Sequence, residues 1–351
     1  MKEKSMKDWY CQRSIWVAVA ALVAAQTAPV ASAQEGWAII NPRTLEIEEA
    51  VRKAPKRTQP PALTASLTSV SEGSLKQRIK ALKKRVTSEV VFVEGGDFMM
   101  GDYGPIWPYT KRNLNAETDN KPLHKVRLTS YSLSRYRTTF AEYDVFTEAT
   151  GRSRYTNSRR DVAYRHPTLP VGIAWQGAKD YCQWLGQITG LPFDLPTEAQ
   201  WEYAARNRGG FVMFATDNGN IDPGRNVPTG KQSLEGFSES LLIDVGGMFP
   251  TFVYPIGLFP PSPLGLYDMT ANGYDWTNDW YAADYYAHSP EQDPSGPSKG
   301  TEKVLRGFPN GAGYESGATV NRTKEVPNDA IAHQDGVRCA VNHASPVKAQ
   351  L

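Results

Sequence analysis

Sulfur and imidazole are scarce in this chain. Its 351 residues hold three cysteines and five histidines. His124, His166, His288, His333 and His343 are widely spread, a pattern of surface or structural histidines more than of a ligand cluster. No cysteine lies between residues 304 and 338, and no second Cys stands at metal-ligand spacing beside Cys182 or Cys339. An excess of one charge is lacking too. Lys and Arg number 39 against 37 Asp and Glu, a formal net charge of +2, which gives no electrostatic case for nucleic acid. Long apolar runs are missing apart from IWVAVAALVAA at residues 15 to 25, too short for ~30 Å of hydrocarbon at about 1.5 Å per residue.

What that run does have is the context of an export signal. Lys2, Lys4, Lys7 and Arg13 precede it, and Ala31-Ser32-Ala33 supplies small residues where a signal peptidase cuts. The expectation is a signal peptide over 1–33, cleavage near Ala33 and a periplasmic or secreted product without a transmembrane segment; the alternative is an uncleaved anchor. Export removes Cys11, and two remaining thiols in an oxidising compartment suggest one disulfide.

Residues 34–88 lack a core pattern at first. PKRTQPPALTASLTSVSEGS, residues 55 to 74, reads as a Pro-, Ser- and Thr-rich linker. SLKQRIKALKKRV then places Leu75, Ile79, Leu82 and Val86 on one helical face with basic residues elsewhere. Such a face packs on a neighbouring domain or touches anionic lipid, and packing is the commoner use.

A domain over 89–345 follows. EVVFVEGGDFMMGD reads as a hairpin turning at Gly95-Gly96, and HKVRLTSYSLSRYRTT as further strands. FAEYDVFTEATG is a helix closed by Gly151. A second helix, in residues 173 to 190, carries Ala178, Tyr181, Cys182 and Leu185 on one stripe. LPTEAQWEYAARN opens a third with the capping box Thr197-x-x-Gln200 and an apolar side of Trp201, Ala204 and Ala205. From residue 209 on, Gly, Pro and Asn dominate, and something besides regular ladders must hold the chain.

VEGGDFMMGD, HKVRLTSYSLSRYRTTFAEYDVFTEATG, LPVGIAWQGAKDYCQWL with LPTEAQWEYAAR, GLYDMTANGYDWTNDWY, KVLRG and GVRCAV occur in that order between residues 89 and 342. Together they resemble the formylglycine-generating enzyme, or sulfatase-modifying factor, superfamily. The resemblance implies an α+β, C-type-lectin-like fold with little regular secondary structure, and a disulfide between Cys182 and Cys339. It also implies structural calcium. One site falls on Asp268, the carbonyls of Ala271 and Gly273, and Asp275. A second falls on Asn226 and the Val227 carbonyl, with Asp244 a further candidate. Calcium takes hard oxygen ligands in flexible loops, so these residue types suit it.

Catalytic members of the family carry two copper-binding cysteines after the strand matching KVLRG. The matching positions here lie near Ala312 and Gly317, which cannot ligate Cu(I). No copper is expected, and the formylglycine reaction is not. Tyr314, Glu315, Asn321, Arg322 and His333 are the polar groups expected to line the remaining groove. Two functions fit. The first is a non-catalytic periplasmic binding or accessory protein, with a protein partner such as a toxin or cell-envelope enzyme, or a glycan. The second is a metal-dependent oxidase or maturation enzyme similar to the periplasmic pyoverdine-maturation proteins.

Overall fold

The structure is a computed structural model that describes residues 59–154, 165–227, 254–308, 317–328 and 334–348. The expected signal peptide and all of residues 34–58 lie outside the described residues.

The first described element corrects the sequence-based expectation. Residues Pro61–Ser71, within the stretch expected to be linker, form helix α1. Pro61 occupies its first turn, where a missing N–H costs nothing. Thr64, Thr68, Ser69 and Ser71 bond their hydroxyls to carbonyls four residues back, which satisfies polar groups that would otherwise favour a loop. Leu63, Leu67 and Val70 are buried along one face. Helix α2, Leu75–Ser88, starts with a Ser74/Gln77 capping box. Its apolar face packs on the main core, where Leu82 and Val86 are buried and Leu75 and Ile79 lie against them. Arg85 on the same helix is buried and pairs at 2.8 Å with Glu142 of α3, Phe140–Ala149.

Strands β1, Val90–Val93, and β2, Gly96–Met100, do not form the expected hairpin. β1 pairs antiparallel with β4, Tyr131–Ser134, and β2 with β3, His124–Leu128. Gly95 is the physical reason: a Cβ there would overlap the Leu128 carbonyl, so the glycine lets two backbones pass closely while the chain changes sheet. The first sheet has the order β1-β4-β10-β5, where β5 is Phe193–Asp194 and β10 is Ala340–Val341. The second has the order β8-β7-β6-β9. Its strands are β6, Gly273–Trp280; β7, Lys303–Phe308; β8, Thr323–Glu325; and β9, Asp335–Gly336. Within it only β6 and β9 run parallel.

Two further helices complete the α+β arrangement. α4 spans Trp175–Thr189 and ends on Gly190 in the left-handed region at φ 74°. α5 spans Glu198–Ala205 and begins with the predicted Thr197/Gln200 capping box. Among the described residues no helix is long and apolar enough to cross a membrane.

Cys182 of α4 and Cys339, beside β10, are joined in a disulfide that closes 157 positions of chain. In the chain-entropy picture, closing so long a loop is worth about 4–5 kcal/mol, although measured values centre on about 2–4 kcal/mol. We expect a Cys182–Cys339 cross-linked peptide in non-reducing mass spectrometry, and reduction should lower the thermal midpoint. Two alkylatable thiols in the unreduced, denatured protein would contradict this.

Candidate functional site

A row of buried charges runs through the domain where α5 meets β7. The capping box fixes the start of α5, so Glu198, Glu202 and Arg206 recur at every fourth position on one side of the chain. β7 brings up Arg306, and Arg322 arrives from the segment before β8. Arg206 Nη1 donates to Glu202 Oε1 at 2.8 Å, and Arg306 Nη2 to Glu202 Oε2 at 3.0 Å. Arg306 Nη1 donates to Glu198 Oε1 at 2.8 Å. Arg322 closes the row on Glu198, through Nε at 2.6 Å and Nη2 at 2.9 Å. All five residues are buried. Burial opposes the charge on Glu198, but Arg322 and Arg306 outweigh it and hold the carboxyl below its usual range.

Asp279, on β6, lies beside this row and accepts the Glu198 backbone N–H at 2.9 Å. Its own burial, reinforced by the Glu198 charge, pushes its carboxyl up to about 8. A second node sits around Asp275. Arg137 Nε donates to its Oδ1 at 2.8 Å, while Arg338 Nε and Trp201 Nε1 donate to Oδ2 at 3.0 and 2.9 Å. Both nodes tie segments far apart in sequence through side chains, the role that the sparse ladders leave open.

A model of the sulfatase-modifying factor enzyme 1-like domain matches residues 76–343. The chain belongs to that family. Among curated relatives, it is 28% identical over 273 residues to the formylglycine-generating enzyme of Streptomyces coelicolor, covering 65% of this chain and 80% of that one. It is 29% identical over 279 residues to the serine/threonine-protein kinase pkn1 of Chlamydia pneumoniae, covering 73% of this chain and 38% of the kinase. The chain spans about a third of the length of the Chlamydia kinases it matches. PvdO from Pseudomonas aeruginosa superposes with a TM-score of 0.52 at 24% identity, covering 72% of this chain and 93% of PvdO, and shares the fold.

The family's features are distributed unevenly over this chain. Copper held by two thiolates does not fit it, because Cys182 and Cys339 are bonded to each other and Cys11 is the only other cysteine. Ala312 lies outside the described residues. Of the expected calcium ligands, Asp275 is taken up otherwise. Its oxygens already accept from two guanidinium groups and an indole, and Arg137 also donates to the Asn272 carbonyl, so a side chain supplies positive charge at that end of the loop. Arg137 also crowds Gly273, where a Cβ would collide with its guanidinium.

The other expected ligands come together. Asp268, Ala271, Asn226 and Val227 line one small cavity with Tyr254 and Thr216. Asp268 is half-buried there in a left-handed conformation, φ 59°. Its Oδ2 accepts the Gly257 N–H at 3.0 Å, whereas its Oδ1 is buried without a hydrogen-bond partner. Burial raises its carboxyl above the ordinary value. A cation would supply the missing partner, so this half of the set fits calcium. Asn226 is the weaker donor, its Oδ1 already accepting the Asp222 N–H at 2.8 Å.

The groove candidates divide as well. Arg322 is corrected from a groove-lining group to an internal one: its Nε and Nη2 donate to Glu198, and Nη1 donates to the Asp119 carbonyl. Asn321 accepts from Asn115. Tyr314, Glu315, His333 and Asp244 lie outside the described residues. The charged row itself was missed at the level of sequence, although Glu198-x-x-x-Glu202-x-x-x-Arg206 was the available signal. An open cleft of about 340 Å³ lies elsewhere, lined by Trp107, Asn207, Phe211 and the turn from Asp217 to Asn220. Thr319 ties its wall in place, donating to the carbonyls of Met213 and Val212.

Asp279 gives these electrostatics a pH signature. Between about pH 4 and 8 its carboxyl is protonated in the fold and ionised in the unfolded chain, so the folded state binds more protons and stability falls as pH rises. Asp279→Asn keeps an acceptor for the Glu198 N–H and removes the titration. We expect the variant to flatten the decline of thermal midpoint with pH across that window. Identical slopes in both proteins would contradict the assignment.

Proposed function

We propose that this chain is an exported member of the sulfatase-modifying factor family that binds a partner and does not perform the family's thiol-copper oxidation. The observation that carries this reading is the cysteine inventory: Ala312 and Gly317 stand near the positions that match the copper cysteines, and the two cysteines the domain does have are bonded to each other. The fate of the charged groups supports it. Glu198, Glu202, Arg306 and Arg322 neutralise one another inside the domain and present no free acid or base to a substrate. The exposed loops instead offer an aromatic cleft on a fold braced from within, an arrangement suited to recognition. The partner lies in the periplasm or outside the cell: a toxin, a cell-envelope enzyme or a glycan.

Calcium belongs to the proposal as a structural ion held by Asp268 with the Ala271 and Val227 carbonyls. Chelation with EGTA should lower the thermal midpoint of the wild-type protein by about 2–4 °C or more, the shift that about 1 kcal/mol produces in a domain of this size. It should leave Asp268→Ala unmoved. An EGTA effect equal in both proteins, or absent from the wild type, would remove calcium from this site.

Metal analysis of the purified, processed protein tests the binding reading. Copper and iron should each stay far below one equivalent. One equivalent of either, together with oxygen consumption in the presence of a thiol, would overturn it and favour a maturation oxidase.

A further inference from the structure

The cleft has a composition of its own. Trp107 and Phe211 lie nearly parallel, ring centroids 6.3 Å apart and planes 18° apart. Tyr109, 90% exposed, meets Trp107 edge-on at 6.4 Å, and Phe211 is 44% exposed. Exposed aromatics in this number are costly on a soluble surface unless something covers them. The platform is also rigid. Buried Tyr103 stands behind both rings at 5.7 and 5.4 Å, and the Arg206 guanidinium lies 4.1 Å from the Tyr103 centroid. The buried charge row therefore ends directly under the platform.

The facing wall is polar and close to neutral. Asp217 is paired with Arg225 at 2.7 Å, and Asn220 Nδ2 bonds back to the Asn218 carbonyl at 3.1 Å, which stitches the turn. Asn207 lines the same cleft and carries a buried side-chain oxygen with no hydrogen-bond partner. Among the described residues that line the cleft, none is Lys or Arg.

These features select a ligand class. An anion such as a phosphate or carboxylate would find no cation there and would face Asp217. A wholly apolar ligand would desolvate the polar turn from Asp217 to Asn220 and offer the Asn207 oxygen no partner. A neutral sugar meets both demands. Its polarised C–H face lies against the negative face of the rings, and its hydroxyls, directed outward from the ring, reach the amides. The volume, about 340 Å³, suits a short stretch of saccharide.

We propose that the Trp107–Phe211 cleft is a binding site for neutral saccharide, with Trp107 and Phe211 as the stacking platform and Asn207 as a hydroxyl acceptor. The proposal rests on the binding-protein reading and names its ligand. Its test is titration of the full chain, by calorimetry and tryptophan fluorescence, with neutral oligosaccharides of glucose, N-acetylglucosamine, mannose and galactose at millimolar concentration. Oligogalacturonate serves as the anionic comparison. At least one neutral series should bind and shift tryptophan emission. Trp107→Ala and Phe211→Ala should each weaken it about tenfold or more, with unchanged circular dichroism. Asn207→Leu should weaken it while sparing contacts to the rings. No binding by any neutral series, equal binding by oligogalacturonate, or full affinity in both aromatic variants would overturn the proposal. Failure here with no redox metal bound leaves the binding reading standing, whereas stoichiometric redox metal removes that reading whatever the saccharide result.

Discussion

The alternation of charge from Arg206 through Glu202, Arg306 and Glu198 to Arg322 is the constraint on which the remainder of the domain depends. Buried ions are expensive, and an isolated one would neutralise or drive the site open. Here each carboxylate is shared between two guanidinium groups, and the row survives only if α5, β7 and the segment before β8 keep their places. Break one member and its neighbours are left as unpaired buried charges, a loss on the order of 3–5 kcal/mol. Such a row is weak evidence for stability over an apolar core and better evidence for a specified arrangement. The Asp275 node repeats the device between β6, the loop carrying Arg137 and the approach to β10.

This explains how a chain with short strands can present a defined surface. The row runs under Tyr103, which supports Trp107 and Phe211, so the cleft inherits its rigidity from ion pairs several residues away. The disulfide fixes α4 to the segment that enters β10 and bonds the two cysteines of the domain to each other.

Local signals carried much of the fold in the sequence. Thr197-x-x-Gln200 and the apolar stripe around Cys182 each depend on near neighbours, and both appear as expected. The hairpin failed because Gly95 and Gly96 read as a turn, whereas their use is a close approach to β3, which enters from some thirty residues downstream. The linker over residues 61–71 failed because its serines and threonines satisfy themselves within a helix whose apolar face finds Tyr136 and Ile256. The charged row was illegible for a similar reason. Glu198 and Glu202 look like the solvent face of an amphipathic helix, yet every residue of α5 is buried, and their partners come from more than 100 positions away. The same distance hid the inward turn of Arg322.

A double-mutant cycle on Glu198 and Arg306, read by chemical denaturation, tests this account most directly. If the row specifies the domain, Glu198→Gln and Arg306→Met should each destabilise by about 3–5 kcal/mol. The pair should then be markedly less destabilising than their sum, with a coupling of about 1 kcal/mol or more. Single variants within about 0.5 kcal/mol of wild type, or strictly additive losses, would contradict it.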